Sequence, residues 1–309
     1  MTDGPPIWDC LRKSTNKTIH IEAEHMTRIW MGLALGFGLS ACGGTAPFGV
    51  DDDPDTEAGS SSVYFTENND TLTLNNVTYD PDTDTLTLNN IPFDDPENAY
   101  DRIRTEAFNN GFDAYDSNPE RGTNELQYFA VFRRSDSGES QVAAAGTNSY
   151  VDFGYGGAGA QRLGNKPNLP TSGIYSYNGE YAAVRTTRDG TNDGVTFVTG
   201  DARLRVDFDD FDIDGAAGGS ISNRQVYTTD GTLIGNLDGF ISLADTTIDF
   251  DNSSLGSSTA TEFDGAGDST GASGNWQGVF AGTEGAEIAG IVFVEGSGVR
   301  EVGGFIATQ

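Results

Sequence analysis

The feature that most constrains this fold is a succession of short segments of alternating polarity, separated by turns rich in glycine, asparagine and aspartate. The segment from Ala202 to Phe208 has an apolar residue at every second position, with arginine and aspartate between them. Such alternation is typical of a β-strand with one face in a core and the other in water. The 309-residue chain contains 41 glycines. The sequence therefore predicts an all-β fold, either a barrel or a sandwich.

Similar segments follow one another through most of the chain. Strands are predicted at residues 126–133, 150–153, 174–184, 202–208, 219–223, 240–250, 276–281, 288–294 and 302–307. The last two are apolar on both faces, which predicts that they pack against a second layer as well as the core. Residues 97–116 are the one stretch in which a helix is expected, and Asn109-Asn110-Gly111 interrupts it.

A short repeat lies ahead of these strands. The heptapeptide DTLTLNN occurs at residues 70–76 and again at residues 84–90. Each copy alternates like a half-exposed strand, and Asp80-Pro81-Asp82 supplies a turn between them. Two copies are too few to cover the core of a solenoid, so a small antiparallel sheet is expected.

Residues 26–42 have the organisation of a secretory signal. Arg28 precedes an apolar run at residues 29–39, which is shorter than the ~20 residues of a membrane-spanning helix. The sequence Leu39-Ser40-Ala41-Cys42 resembles the lipobox of bacterial lipoproteins, in which the cysteine is acylated and becomes the N-terminus. The resemblance implies that Cys42 carries diacylglycerol and a further acyl chain such as palmitate, and two or more chains anchor a protein stably. The alternative is that Cys42 is an ordinary buried residue.

The lipobox implies a division of the N-terminal part of the chain. Residues 1–25 are then a misassigned start or an extension, residues 26–41 are the signal peptide, and residues 42–62 are a flexible acidic tether. The protein is expected at the outer membrane, anchored through membrane lipid, on either the surface or the periplasmic face.

Composition beyond Cys42 excludes several kinds of chemistry. Residues 43–309 contain no histidine, cysteine or methionine, and their one lysine is Lys166. A Ser-His-Asp or Cys-His nucleophile therefore has no base, and a histidine-ligated zinc or haem has no ligand. No cofactor is expected. The formal net charge of −30 repels phosphates, so nucleic acid is not an expected partner.

Several short motifs carry a family resemblance in the C-terminal half. They are LPTSG at residues 169–173, YSYNG at 175–179, TGD at 199–201, GVFAG at 278–282, EIAG at 287–290 and GGF at 303–305. In these motifs residues 169–309 resemble the barrel domain of the transferrin-binding protein B family of Gram-negative surface lipoproteins. The resemblance implies an eight-stranded antiparallel C-terminal barrel, preceded by a small β-rich handle-like domain at residues 63–168.

The same resemblance implies a non-enzymatic binding module whose external ligand is a nutrient carrier, a metal source or a solute. The family's transferrin contacts lie in loops that do not align with this chain, so no transferrin-binding residue is transferred. The partner is expected to be an unknown protein or small molecule. The first alternative is a structural spacer of the envelope or cell surface, without a saturable ligand. The second is a carboxylate hydrolase, but no pair among the 47 acidic residues stands out, so no catalytic residue is predicted.

A glycine-rich aromatic segment provides the predicted ligand contacts. Tyr150, Phe153 and Tyr155 lie in the sequence YVDFGYGG, and rigid aromatics in such a segment offer contact area at low entropic cost. The alternative is a β-bulge that packs the handle against the barrel.

Two further patterns of charged residues are candidate sites. Asp210, Asp212 and Asp214 fit the opening D-x-D-x-D-G of a calcium loop, but its twelfth position is Ile221 instead of a bidentate acid. A solvated turn is therefore favoured, with a weak calcium site as the alternative. The arginine pairs Arg133-Arg134 and Arg203/Arg205 stand out in the acidic chain; charge balance is favoured for them, with a selective anion site as the alternative.

Overall fold

The structure is a computed structural model in which two β-sheets make up the described part of the chain. It describes residues 62–64, 72–89, 91, 99–103, 108–117, 127–148, 152–188, 194–209 and 216–309. Within these residues the helical element is one 3-10 turn, Thr283–Gly285. No helix among them has the length and apolar character that crossing a membrane requires. The predicted all-β fold is confirmed.

The first sheet, called the handle sheet here, contains eight antiparallel strands in the order β1-β8-β7-β6-β5-β4-β3-β2. Its strands are β1 (Ser62–Tyr64), β2 (Asn76–Asp80), β3 (Thr85–Asn89), β4 (Ala99–Arg102), β5 (Asp113–Asp116), β6 (Phe129–Arg134), β7 (Ser140–Gly146) and β8 (Gly156–Arg162). The sheet curls, because Leu72 bridges Gly156 on β8 and the Gln141 amide on β7 donates to the Val77 carbonyl on β2 at 3.0 Å. One face encloses a core that includes Leu86, Tyr100 and Tyr115.

The second sheet closes into the barrel. Its strands are β9 (Ile174–Thr187), β10 (Gly194–Asp207), β11 (Ala217–Tyr227), β12 (Leu233–Leu237), β13 (Phe240–Thr246), β14 (Ile248–Asp249), β15 (Ser254–Phe263), β16 (Ser269–Ala281), β17 (Glu287–Gly296) and β18 (Val299–Thr308). Eight of them follow the order β10-β9-β18-β17-β16-β15-β13-β11, and pairing of β11 with β10 closes the circle. β12 pairs with the free half of β11, and β14 pairs with β15. The predicted eight-stranded antiparallel barrel is therefore confirmed.

The alternation at residues 202–208 has the predicted consequence. Ala202, Leu204 and Val206 are buried in the barrel interior together with Trp276 and Phe305, whereas Arg203 and Arg205 are exposed on the outer wall. Burial of the apolar positions fixes the register of this strand, because a shift by one residue would exchange the two faces.

The second face of the handle sheet packs on the outer wall of the barrel. Val142, Ala144 and Ala158 of the handle sheet belong to one buried cluster with Ile291 and Val302 of the barrel. Every residue of β7 and β8 is buried, and both strands consist largely of alanine and glycine. Small side chains on both sides allow the two layers to approach closely. The same contact confirms the expectation that the last two strands, β17 and β18, face two layers.

Polar contacts hold the two sheets in a fixed register. The Arg162 guanidinium of β8 donates to the Phe280 carbonyl at 2.8 Å, and the Ser137 hydroxyl donates to Glu287 at 2.9 Å. From the barrel side, Arg300 donates to the Gly154 carbonyl at 2.9 Å. Hydrogen bonds of this kind, buried between packed layers, favour one arrangement over sliding alternatives.

Three expectations on secondary structure need correction. In the described part of residues 97–116 the expected helix is wrong, since β4 and β5 pair there and bury Tyr100 and Tyr115 in the handle core. The strand expected at residues 150–153 is wrong at Asp152 and Phe153, which lie in a turn. In the described part of the first repeat copy, residues 72–76, Leu72 forms a single bridge to Gly156 and residues 73–75 are not in a strand. The hairpin instead joins β2, which starts at Asn76, to β3 in the second copy.

Candidate functional site

A cavity of about 380 Å³ opens on the outer wall of the barrel, and none of its lining residues belongs to the handle sheet. Four strands contribute to it, namely β9, β10, β11 and β13. Its lining residues are Ser176, Asn178, Arg203, Leu204, Arg205, Gly218, Gly219 and Asp245. Most of these side chains are polar, and the volume lies within the range of small-molecule sites.

Strand register brings the polar side chains together. On β10, Arg203 lies opposite Asn178 of β9, and Arg205 lies opposite Ser176. Side chains paired directly across antiparallel strands have Cβ atoms about 4.5–5.5 Å apart. Both arginines can therefore share a ligand with the amide or hydroxyl beside them.

Glycines form the floor of the cavity. A Cβ atom on Gly218 would lie 2.2 Å from Oδ1 of Asp245, and one on Gly219 would lie 2.1 Å from the carbonyl oxygen of Arg203. Gly218 lies directly opposite Arg205, so β11 contributes no side chain at this position and the Asp245 carboxylate lies over it. The missing side chain at Gly218 is what lets the Asp245 carboxylate enter the cavity.

A β-bulge directs Asp245 into the cavity. Between Ala217–Thr246 and Gly219–Leu243, β13 has two residues where β11 has only Gly218. Two hydrogen bonds fix this irregular backbone: the Trp276 indole donates to the Ala244 carbonyl at 2.9 Å from inside the barrel, and the Ser258 hydroxyl donates to the Asp245 carbonyl at 2.8 Å. Bulges commonly re-aim a side chain next to a functional site.

Charges in the cavity are only partly neutralised. Arg205 forms an exposed ion pair with Asp207 at 3.0 Å. Neither the Arg203 guanidinium nor the Asp245 carboxylate has a hydrogen bond or an ion pair within the part of the chain that the structure describes. Both groups are exposed to solvent at the cavity, so they are available to a ligand.

The two arginine pairs noted in the sequence have different environments. Arg133 donates to the Asn110 carbonyl at 2.8 Å and lies over the Phe112 ring, and Arg134 donates to Gln141 at 3.1 Å. These two side chains are engaged within the handle sheet. Arg203 and Arg205 instead face the cavity, which is the geometry that the anion-site alternative requires.

The predicted aromatic contacts lie elsewhere. Phe153 lies under the Arg300 guanidinium, 5.2 Å from it to the ring centroid, and Tyr155 is half-buried against the handle core. Neither lines the cavity, and Tyr150 lies outside the described residues. The packing of Phe153 and Tyr155 agrees with the alternative that this segment joins handle and barrel, while their role as ligand contacts stays a prediction.

Other predicted sites lie outside the described residues. They are the acylated Cys42 and the calcium candidates Asp210, Asp212 and Asp214. Among the described residues, no three His, Cys, Asp or Glu side chains are grouped so that they could hold a metal ion. Asp84 of the repeat is engaged by Arg102 at 2.9 Å and accepts hydrogen bonds from two tyrosine hydroxyls.

A second charged cluster is closed inside the barrel. Arg185 and Arg224 both contact Glu262 and Glu301 at 2.5–2.9 Å, and the Tyr181 hydroxyl donates to Glu301 at 2.9 Å. Burial raises the pKa of Glu301, but Arg224 and Arg185 outweigh it and hold the pKa below its usual value. The same opposing effects also leave the pKa of Glu262 below its usual value. Burial and Glu301 raise the pKa of Tyr181. The cluster is buried ion pairing, separate from the outer cavity.

Sequence reasoning identified only part of the cavity. Arg203 and Arg205 were visible because strict alternation places them on an outer face, but Ser176, Asn178 and Asp245 were not singled out. Alternation in β9 predicts that Ser176 and Asn178 face outward, whereas their pairing with the arginines depends on register. The bulge that presents Asp245 leaves no recognisable sequence signal.

The chain has structural similarity to solved proteins at low sequence identity. No protein-family model and no curated protein matches the chain. Among solved structures, a double mutant of the vaccine antigen transferrin binding protein B (TbpB) from Haemophilus parasuis Hp5 is 13% identical with a TM-score of 0.40, covering 82% of this chain and 45% of that one. Intact Ap-TbpB, with N and C lobes, is 14% identical with a TM-score of 0.42, covering 81% and 45%. Isotype 1 TbpB from serogroup B Neisseria meningitidis is 14% identical with a TM-score of 0.33, covering 63% and 34%.

The chain thus spans less than half the length of these three solved structures. Those structures are of the family that the sequence motifs resemble. Strand pairing defines the fold, in which a curled handle sheet packs on a closed eight-stranded barrel.

Proposed function

We propose that the chain is a non-enzymatic binding module, tethered to the outer membrane, that takes an external ligand into the cavity of the barrel wall. The observation that carries the proposal is the exposed pair Arg203 and Asp245, two charged groups without partners among the described residues, set around a floor of glycine. Of the three ligand classes that the sequence resemblance implies, this geometry favours a solute, because the cavity of about 380 Å³ suits a small molecule.

A rigid scaffold supports this proposal. The cavity lies on strands paired in a closed barrel, and Arg162 and Arg300 fix this barrel to the handle sheet. Sites built on sheets hold their geometry more accurately than sites on loops. A preorganised wall loses little entropy when a ligand binds.

Anchoring forms the second part of the proposal. Residues 26–41 act as the signal peptide, acylated Cys42 inserts into membrane lipid, and residues 42–62 tether the modules at residues 63–168 and 169–309. Mass analysis of the N-terminal peptide from cells tests it, with a Cys42→Ser variant as control. An N-terminal fragment that begins before Cys42 would contradict this part. Protease treatment of intact cells then distinguishes surface from periplasmic orientation.

The binding function is tested by screening small solutes against the purified full chain by thermal shift. A saturable stabilisation by at least one solute, reduced in Arg203→Gln and retained in Arg134→Gln, is expected. Arg134 is the matched control because its guanidinium lies in the handle sheet, outside the cavity. No saturable ligand in a broad screen would favour the alternative of an envelope spacer.

A further inference from the structure

The width of the cavity restricts what can bind across it. Arg205, Gly218 and Asp245 belong to three successive strands of the outer wall. Neighbouring strands lie about 4.8 Å apart, so the backbones of Arg205 and Asp245 are separated by roughly 10 Å. Gly218 has no side chain of its own, and the Asp245 carboxylate lies over it, with Oδ1 2.2 Å from the position that a Cβ atom of Gly218 would take. The cavity is therefore a groove bounded on one side by the arginines of β10 and on the other by the Asp245 carboxylate, which reaches over β11 towards them.

Charges of opposite sign face each other across this groove without neutralising one another. Neither Arg203 nor Arg205 forms an ion pair with Asp245; Arg205 is paired with Asp207 on its own strand. An arginine fork binds a carboxylate or phosphate through two parallel hydrogen bonds. An ionised aspartate only accepts, so it selects a hydroxyl or an ammonium group. Ser176 and Asn178, which can donate or accept, lie beside the arginines.

The overall charge limits the ligand further. A formal net charge of −30 disfavours the approach of polyanions, so a ligand with one oxyanion is favoured over a long acidic polymer. We propose that the groove binds a small solute with an oxyanion at one end, held by Arg203 with Arg205, and a hydroxyl or ammonium donor at the other, held by Asp245. This inference rests on the proposed binding function and specifies its ligand.

Two test compounds have this chemistry, and two simpler compounds each lack one part of it. Glucuronate combines a carboxylate with hydroxyl groups, and 4-aminobutyrate combines a carboxylate with an ammonium group. Glucose lacks the oxyanion, and acetate lacks the donor. Isothermal titration of each probe into the full chain is expected to give saturable binding for glucuronate or 4-aminobutyrate, at least tenfold tighter than for glucose and acetate.

Variants assign the two ends of the ligand. Arg203→Gln is expected to weaken the bound probe at least tenfold, because it removes a charge-assisted fork. Asp245→Asn is expected to weaken 4-aminobutyrate at least tenfold and glucuronate less, because an amide oxygen still accepts from a hydroxyl. Arg134→Gln and Asp136→Asn are matched controls outside the groove and are expected to leave binding unchanged; the Asp136 side chain is 97% exposed.

A third variant tests the floor. Gly218→Ala places a methyl group where Oδ1 of Asp245 lies, so it should displace the carboxylate and weaken the probe without changing any charge. Far-UV circular dichroism and thermal unfolding of each variant check that the fold is retained.

The outcomes separate this inference from the function on which it rests. Failure of both glucuronate and 4-aminobutyrate to saturate, or binding unaffected by Arg203→Gln and Asp245→Asn, would overturn the inference. If glucose or another neutral solute binds and Gly218→Ala abolishes that binding, the inference is wrong and the binding function stands. If no solute of any class binds, both fall.

Discussion

Replacement of Glu301 by glutamine tests the energetic account of the barrel interior. The Glu301 side chain is fully buried and accepts hydrogen bonds from Arg185 at 2.5 Å, Arg224 at 2.6 Å and Tyr181 at 2.9 Å. Glutamine has nearly the same shape but no charge. The variant therefore leaves two buried guanidiniums opposite one carboxylate, Glu262.

The expected cost is large for a substitution that removes no volume. Removing one partner of a buried ion pair costs about 3–5 kcal/mol, because the remaining charge is uncompensated. Donors already exceed acceptors here, since Nε and Nη1 of Arg224 are buried without a hydrogen-bond partner among the described residues. For a domain of this size each kcal/mol lowers Tm by about 2–4 °C, so we expect a decrease of about 6–20 °C.

Thermal and urea unfolding of Glu301→Gln beside Glu284→Gln measures this effect. Glu284 is exposed, so the same chemical change there should alter the free energy of unfolding by no more than about 0.5 kcal/mol. A loss below about 1 kcal/mol in Glu301→Gln, or one equal to that of the control, would refute the argument that the pairing is essential to a buried cluster.

The pH dependence provides an independent check of the same cluster. The arginines hold the pKa values of Glu301 and Glu262 below the usual 4.5. A lowered folded-state pKa contributes stability that is present above the unfolded pKa and is lost as pH falls through the folded value. The wild-type chain should therefore lose stability below about pH 4.5, and Glu301→Gln should show a shallower loss because it has one such carboxylate fewer. Equal slopes would contradict this assignment.

Three further predictions concern packing and titration elsewhere in the molecule. Arg162→Met should lower the free energy of unfolding by about 1–3 kcal/mol, because the Phe280 and Ser253 carbonyls lose a buried donor. Amide hydrogen exchange should accelerate in β8. Unchanged exchange would argue against a role of Arg162 in holding the sheets together. Gly304→Ala should lower the free energy of unfolding by about 1–3 kcal/mol, since its Cβ would lie 2.4 Å from Val142 Cγ1. Gly235→Ala, with nothing within 4 Å of its Cβ position, should change the free energy of unfolding little. Similar values for both variants would contradict close packing of handle and barrel. Burial raises the pKa of Tyr177 to about 12, although a hydrogen bond from Gln309 lowers it. The stability that this group contributes should be complete below pH 10 and lost as pH rises towards 12. Spectrophotometric titration of Tyr177→Phe should therefore lack one late-titrating tyrosine.

Local sequence patterns predicted the fold class and much of the barrel. Strict alternation at residues 202–208 has a simple physical origin, because successive side chains of a strand point to opposite faces and only one face is buried. The two-sided apolar character of residues 288–294 and 302–307 likewise predicted a second layer. Such information is local, so it can be read along the chain.

Long-range packing sets the features of the fold and the cavity that local sequence patterns do not contain. β7 and β8 were not predicted, because alanine and glycine buried on both faces show no alternation. The tyrosines of β4 and β5 entered a sheet core instead of a helix, since burial against distant strands outweighs weak local preference. The cavity depends on register and on one bulge: Arg203, Gly218 and Asp245 meet only because three strands pair with particular offsets. Those offsets are set by long-range packing around the barrel, which no short stretch of sequence encodes.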